Sequence, residues 1–205
     1  MAIPVINAII NFSTGAGFAS PMILDSGILG VNALADSTAV TVDVSDQVDS
    51  IKTNRGRTAT SDVFQTGTLT LRIIDQNGYF NPMNPASPYY NLLTPMRKVT
   101  ITATYSGTTY PIFAGYITSY STTTPRDVGD VVYTTIQAVD GFRLFQNAQV
   151  TSVASATAGQ TTGTRIGKIL DAIGWPSGMR DVDAGLTTVQ ADPGTLRTAL
   201  VALQT

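Results

Sequence analysis

The stretch "GTLTLRII", residues 67–74, alternates strictly. Leu69, Leu71 and Ile73 fall on one face of an extended chain, and Thr68, Thr70 and Arg72 on the other. Side chains of a strand point to opposite sides with a period of two, so such a segment buries one face and wets the other. "DQNGYF" then supplies a turn at Asn77-Gly78. After a proline-studded loop "KVTITATY" alternates again, Ser106-Gly107 turns the chain, "TYPIFAGYITSY" returns as a hairpin partner, and "DVVYTTIQAV" adds a further strand. Strands joined in this order form an antiparallel meander, and bending it into a barrel or sandwich hides its edges. The expected fold is mainly β with a few short helices: an antiparallel β-barrel or sandwich followed by a smaller α/β part.

A chain of 205 residues can hold one sizeable core or two small ones. Residues 1–45 mix short apolar runs with glycines and read as a strand-and-loop extension of a first domain spanning 1–150. "TSVASATAGQTTG", residues 151–163, carries no charge and little bulk and reads as a linker. Beyond it Ile166, Ile169, Leu170 and Ile173 recur at helical spacing, with Thr164 as N-cap and Gly174 then Pro176 as the stop. A second helix is expected in "DPGTLRTALVALQT", capped by Asp192 or Thr195, with Leu196, Leu200 and Leu203 on one side. Residues 164–205 thus read as the start of a second helical or α/β domain that continues past Thr205. The opening "MAIPVINAIINF" has no basic segment and no apolar run long enough for a signal peptide or a membrane span.

Composition narrows the chemistry. Twelve Lys and Arg against fourteen acids, all of them Asp, give a net charge of −2, without the basic excess of an electrostatic nucleic-acid binder. With no Cys, His or Glu, there is no thiolate, no cysteine zinc site and no imidazole base. Asp43, Asp46 and Asp49 are spaced three apart, but a calcium loop of the EF-hand kind needs acids at alternate positions, a central Gly and a closing Glu. They read instead as a turn or short helical segment capped by Ser45 and Asp46. Asp181 and Asp183 read as a solvated loop beside Arg180, and "STGAGF" lacks the lysine of a phosphate-binding loop. No enzyme activity, metal or cofactor is expected.

Two features remain. Arg55 and Arg57 flank Gly56; on a strand they project to one face, and a planar guanidinium suits bidentate pairing with a carboxylate such as Asp62, Asp75 or Asp140. Gly56 is expected to allow close backbone approach. A structural clasp or subunit contact is favoured over a phosphate grip, because two arginines cannot offset fourteen Asp. The second feature is "GYFNPMNPASPYYNLLTP", residues 78–95, where Tyr79, Phe80, Tyr89 and Tyr90 sit among Pro82, Pro85, Pro88 and Pro95. Such a stiff apolar loop can stack on a sugar, pack under its own barrel, or meet a neighbouring subunit.

The Arg-Gly-Arg with its following Gly-led strand, the "NGYFNP" turn with its "SPYY" sequel, "YPIFAGYI", "VDGFRLF" and "GTRIGKILDAIGWP" occur here in series. Over about residues 40–203 this order resembles the minor tail proteins that form the baseplate or tail-tip hub of long-tailed bacteriophages. The resemblance implies a virion protein with a tail-tube-like β-barrel, assembled as a ring at the tail tip, commonly a trimer, with a hexamer as the fallback. It implies contacts with distal tail and tail-tube proteins, the tape measure protein and other tail-tip proteins. Genome DNA would pass through the ring without being bound, and Tyr79, Phe80, Pro82, Tyr89 and Tyr90 would serve subunit contacts. A carbohydrate-binding module that meets host-surface glycans is the alternative reading.

Overall fold

The structure is a computed structural model that describes residues 3–12, 40–56, 65–123, 131–175, 177 and 180–204. Two compact units divide the chain at Gly141/Phe142.

The first unit is a seven-stranded antiparallel sheet in the order β2-β1-β5-β6-β7-β4-β3. Its strands are β1 (Val5–Asn11), β2 (Thr41–Asp43), β3 (Val48–Gly56), β4 (Gln65–Ile74), β5 (Lys98–Tyr105), β6 (Thr108–Thr122) and β7 (Tyr133–Asp140). The expected meander is present in part: β5 pairs with β6 and β6 with β7, but β4, expected before β5 in the series, pairs with β7 and β3 instead, because the loop after it carries the chain across the sheet. At the β5–β6 tip Ser106 (φ 50°) and Gly107 (φ 81°) both have positive φ, as a two-residue hairpin turn requires.

The two edge strands, β2 and β3, are neighbours in sequence. Five Cα steps from Asp43 to Val48 reach at most about 18 Å. In a flat seven-stranded sheet six spacings of about 4.8 Å would put those edges about 29 Å apart. The sheet must therefore curl. Among the described residues no ladder joins β2 to β3, so the curl is an open, sandwich-like one and not a closed barrel.

The alternation of the strands supplies the inner face. Ala8, Ile10, Leu69, Leu71, Ile73, Val99, Ile101, Ile117, Ile136 and Ala138 are buried there with Phe12, Val44, Phe80, Leu93 and Phe113. Two bulges bend the long β6. Ile101 faces Phe113 while Thr102 faces Pro111, leaving Ile112 extra. Ile117 faces Ala138 while Ser119 faces Gln137, leaving Thr118 extra, and the Thr118 hydroxyl donates to the Gln137 carbonyl (3.1 Å). Such bulges sharpen strand curvature, and Pro111 sits where a bulge tolerates it. Between them a Cβ on Gly115 would lie 2.2 Å from the Val139 carbonyl oxygen and 2.7 Å from the Phe113 ring, which explains the glycine in "FAGY".

The second unit, from Phe142 on, has its own core of Phe145, Val150, Val153, Ala156, Ile169, Leu170, Ala199, Leu200 and Ala202. Phe145 and Val150 precede the border at 150 drawn from sequence, and Val153 and Ala156 lie within the stretch read as a linker. That stretch turns at residues 154–155 and 158–159 and is anchored by its few apolar side chains. The helices are α1 (Phe142–Asn147), α2 (Thr162–Ala172) and α3 (Ala199–Gln204); the strands are the two-residue β8 (Gln149–Val150), β9 (Gln160–Thr161), β10 (Thr188–Val189) and β11 (Arg197–Thr198), paired β8 with β11 and β9 with β10.

The helix expected from Thr164 begins earlier. Thr161 is its N-cap, and the Thr161 hydroxyl accepts from the Thr164 N–H (3.4 Å). Its stop at Gly174 is as expected, while Pro176 lies outside the described residues: Gly174 (φ 70°) donates to the Asp171 carbonyl (3.0 Å) and Trp175 to that of Leu170 (2.9 Å), the paired bonds of a Schellman ending. The last helix starts later than expected. Arg197 and Thr198 are committed to pairing with Val150 and Gln149, so Leu196 is left 65% exposed outside the helix. Thr198, not Asp192 or Thr195, meets its first turn by accepting from the Val201 N–H (3.3 Å). Among the described residues no helix is long and apolar enough to cross a membrane.

Candidate functional site

The loop between β4 and β5 is a chain of turns at three-residue intervals. The N–H groups of Gly78, Asn81, Asn84, Ser87 and Tyr90 donate to the carbonyls of Asp75, Gly78, Asn81, Asn84 and Ser87 at 3.0–3.2 Å. The cause is a short repeat, Asn81-Pro82, Asn84-Pro85 and Ser87-Pro88. Proline presets φ for the second turn position, and the preceding Asn or Ser oxygen accepts an N–H two residues on. The Asn81 and Asn84 side-chain oxygens accept from the Met83 and Ala86 N–H groups, and the Ser87 hydroxyl from Tyr89, each at 3.0 Å.

Asp75 ties this loop to the sheet. It is 4% exposed. Its Oδ1 accepts from the Tyr79 N–H (2.7 Å), and its Oδ2 from the Phe80 N–H (3.0 Å) and the Thr134 hydroxyl (2.9 Å) on β7. Asn84 Nδ2 donates to the carbonyls of Asn77 (3.2 Å) and Gly78 (2.9 Å).

The loop thereby sorts its aromatics. Phe80 is 2% exposed, and its ring lies 5.3 Å from that of Tyr89, which stacks on Phe12 at 5.4 Å. Phe80 was expected at a subunit contact; fixed in the core by the Asp75 anchor, it has no ring surface to offer a neighbour. Tyr89 is half-buried for the same reason, so sugar stacking through Tyr89 does not fit this geometry. Pro82 is half-buried. Tyr79, Met83 and Tyr90 face outward, 40%, 84% and 44% exposed. The Asn-Pro, Asn-Pro, Ser-Pro periodicity is the signal that distinguishes this ordered platform from a loop that is merely stiff.

Among the described residues the expected clasp is not formed by Arg55. Arg57 and Asp62 lie outside the described residues. Arg55 is exposed near the end of the edge strand β3, and among the described residues no carboxylate lies within 4 Å of it. Asp75, a suggested partner, is spent on the loop, and Asp140 accepts from the Gly67 N–H (2.8 Å). Among the described residues nothing lies within 4 Å of where a Cβ on Gly56 would be, so the close approach expected there is not seen among them. Its φ is +97°, at a register shift between Asn54 and Gly56. Glycine is required there for conformation. Gly56→Val is therefore expected to destabilise the first unit by about 1–3 kcal/mol through backbone strain. An unchanged melting temperature would show that the bulge relaxes freely.

An arginine clasp does exist one strand inward. Arg72 Nε lies 3.4 Å from Asp49 Oδ2 on β3, and its guanidinium sits 3.7 Å above the centre of the Tyr133 ring on β7. It spans three strands and fastens the edge. Arg72→Ala should cost no more than about 1 kcal/mol, because exposed ion pairs are screened. The loss should appear as faster amide exchange in β3, while β6 stays protected.

Residues 45–47 form one 3-10 turn whose N-cap position is Val44, with no side-chain cap bond, so neither Ser45 nor Asp46 caps it, and Asp43 braces its entry instead. Asp43 Oδ1 accepts from the Ser45 N–H (2.9 Å) and the Ser45 hydroxyl, which in turn accepts from the Ala8 N–H (2.9 Å). The Ser45 hydroxyl and N–H hold the Asp43 carboxyl below the usual carboxylate range. No group of metal-binding side chains occurs among the described residues. Asp181 and Asp183 are exposed. Arg180 turns back to the Trp175 carbonyl and to Asp171 Oδ1 (2.6 Å). A recess of about 210 Å³ in the second unit is walled by Arg165, Ile169, Val189, Pro193, Arg197 and Ala202. Its arginines are already engaged, Arg165 with the Thr157 and Gln190 carbonyls and Arg197 with Asp192.

No family model matches the chain, and no curated protein matches it. Among solved structures it is similar to the 43 kDa tail protein of prophage MuSo2 from Shewanella oneidensis, with 12% sequence identity and a TM-score of 0.35. The match covers 97% of this chain and 49% of that one, so the chain spans about half the length of that protein. A likeness this slight assigns neither function nor partner.

Proposed function

We propose that this chain is a structural, non-enzymatic component of a bacteriophage tail. Its first unit would form a ring, threefold or failing that sixfold, at the tail tip, where the tail tube is closed or extended for host attachment and genome ejection. The observation that carries the reading is the loop of residues 75–95. The "NGYFNP" and "SPYY" motifs behind the resemblance to tail-tip hub proteins build a rigid platform that keeps Tyr79, Met83 and Tyr90 outward. A surface so fixed loses little side-chain and loop entropy when a neighbour covers it.

The outward face of the sheet supports the same reading. Thr68, Thr70, Thr100 and Gln137 are exposed on it, and Arg72 is held by Asp49 and Tyr133. The face also carries Lys52, opposite Thr70, and the half-buried Lys98, but it is mainly hydroxyl-rich, which suits a conduit wall, since a basic belt would grip phosphates and slow their passage. Tube proteins, the tape measure protein and other tip proteins would be the neighbours.

Light scattering on the purified chain is expected to give the mass of a trimer, or of a hexamer, and Tyr90→Ala with Met83→Ala should shift it toward the monomer. A chain that stays monomeric at high concentration and is absent from the tail axis in a particle reconstruction would overturn the proposal. So would retention on host glycans through Tyr79 and Tyr90 without self-association.

A further inference from the structure

The chain contains one Asn-Gly dipeptide, Asn77-Gly78, at the start of the loop just described. Asn77 is exposed. Glycine offers the least hindered backbone nitrogen to a preceding asparagine. Once that nitrogen loses its proton to solvent base it can bond to the side-chain Cγ. The Cγ–Nδ2 bond then breaks, ammonia leaves and a cyclic imide remains. Water opens the imide at either carbonyl to give aspartate or isoaspartate, with no change of oxidation state.

In this fold the nucleophile is restrained. The Gly78 N–H donates to the Asp75 carbonyl (3.0 Å), and Asn84 Nδ2 donates to the carbonyls of both residues of the dipeptide. Gly78 is held at φ 64°. Ring closure requires the Asn77-Gly78 peptide plane to rotate, which breaks the two bonds made by that plane, from the Gly78 N–H to Asp75 and from Asn84 Nδ2 to the Asn77 carbonyl.

We propose that Asn77 is a deamidation site gated by this clamp, so that conversion records how often the loop opens. Residues 76–96 carry no charged side chain. Conversion would place a carboxylate within the neutral surface of Tyr79, Met83 and Tyr90. The isoaspartate form would also lengthen the backbone by one carbon, beside the N–H groups that Asp75 holds.

The test follows the intact chain by peptide mass spectrometry at mildly alkaline pH, beside a free peptide of residues 73–82. The folded chain is expected to convert at Asn77 at least about tenfold more slowly than the peptide, as local opening equilibria of this size imply. Asn84→Ala, which removes the half-buried amide that donates to Asn77 and Gly78, should bring the rate several-fold toward that of the peptide and speed Gly78 amide exchange in parallel. A folded chain that converts at the peptide's rate would overturn the proposal. So would an Asn84→Ala chain that shows faster Gly78 exchange with no change in deamidation, or no change in either.

Discussion

Asp75→Ala is expected to destabilise the first unit by at least about 3 kcal/mol, because it strips acceptors from three buried or part-buried donors and each unsatisfied donor costs about 1–3 kcal/mol. Those donors are the Tyr79 and Phe80 N–H groups and the Thr134 hydroxyl. The loss reaches beyond the bonds. Phe80 is seated in the core at 2% exposure next to Tyr89 and Phe12, and its entry depends on the bend that Asp75 fixes. Asp75→Asn should be nearly as costly, because an amide turns an NH₂ toward groups that are all donors at this site. At about 2–4 °C per kcal/mol the alanine variant should melt on the order of ten degrees lower. A melting temperature within about one degree of wild type would mean that water or a neighbouring group replaces the carboxylate, and that the loop does not depend on it.

What sequence reasoning could see divides along physical lines. The β4 alternation and the β5–β6 hairpin were legible because a period of two and a two-residue turn are local properties. The place of β1 was not. Val5 pairs with Thr104 and Ile6 with Ala103, and nothing local encodes a partner so far along the chain. The curl of the sheet shares that cause, since it follows from β2 and β3 being both neighbours in sequence and opposite edges.

Gly56 was recognised as special for space, whereas what the described residues show is its positive φ. A glycine needed for φ and one needed for space look alike in a sequence, and here Gly115 is among those that need space. At the candidate site the aromatic cluster was visible, but not its sorting into an inward Phe80 and an outward Tyr90. That sorting depends on the Asp75 anchor, a lone acid indistinguishable by type from thirteen others. In the second unit α2 was legible from its apolar spacing and Gly174. The start of α3 was displaced because a two-residue strand pairing claimed Arg197 and Thr198, a tertiary contact that overrides the spacing of leucines.

The second unit rests on an equally concentrated contact, between Asp192 and Arg197. The side chains are 6% and 12% exposed and directly paired. Asp192 Oδ2 also accepts from the Val153 (3.3 Å) and Gly194 (3.2 Å) N–H groups, so one carboxylate joins the stretch after β8 to the approach of β11. Its removal from solvent alone would raise the proton affinity of the carboxyl. The hydrogen bonds from Arg197, Gly194 and Val153 and the arginine's charge outweigh this and hold it below the usual carboxylate range. With a folded-state value below the unfolded value of about 3.9, the stabilisation is complete above that pH and is lost as the pH falls through the folded value. Asp192→Asn leaves the arginine buried without its counter-charge, and breaking such a pair costs about 3–5 kcal/mol. Amide exchange in α2 and α3 at neutral pH should therefore accelerate by at least about a hundredfold in the variant, while the β4–β7 ladder keeps its protection. Below about pH 4 the two proteins should converge, since the wild-type carboxyl is then also losing its charge. Equal exchange in α3 for both proteins at neutral pH, or a gap that widens on acidification, would show that the pair is not what holds the second unit together.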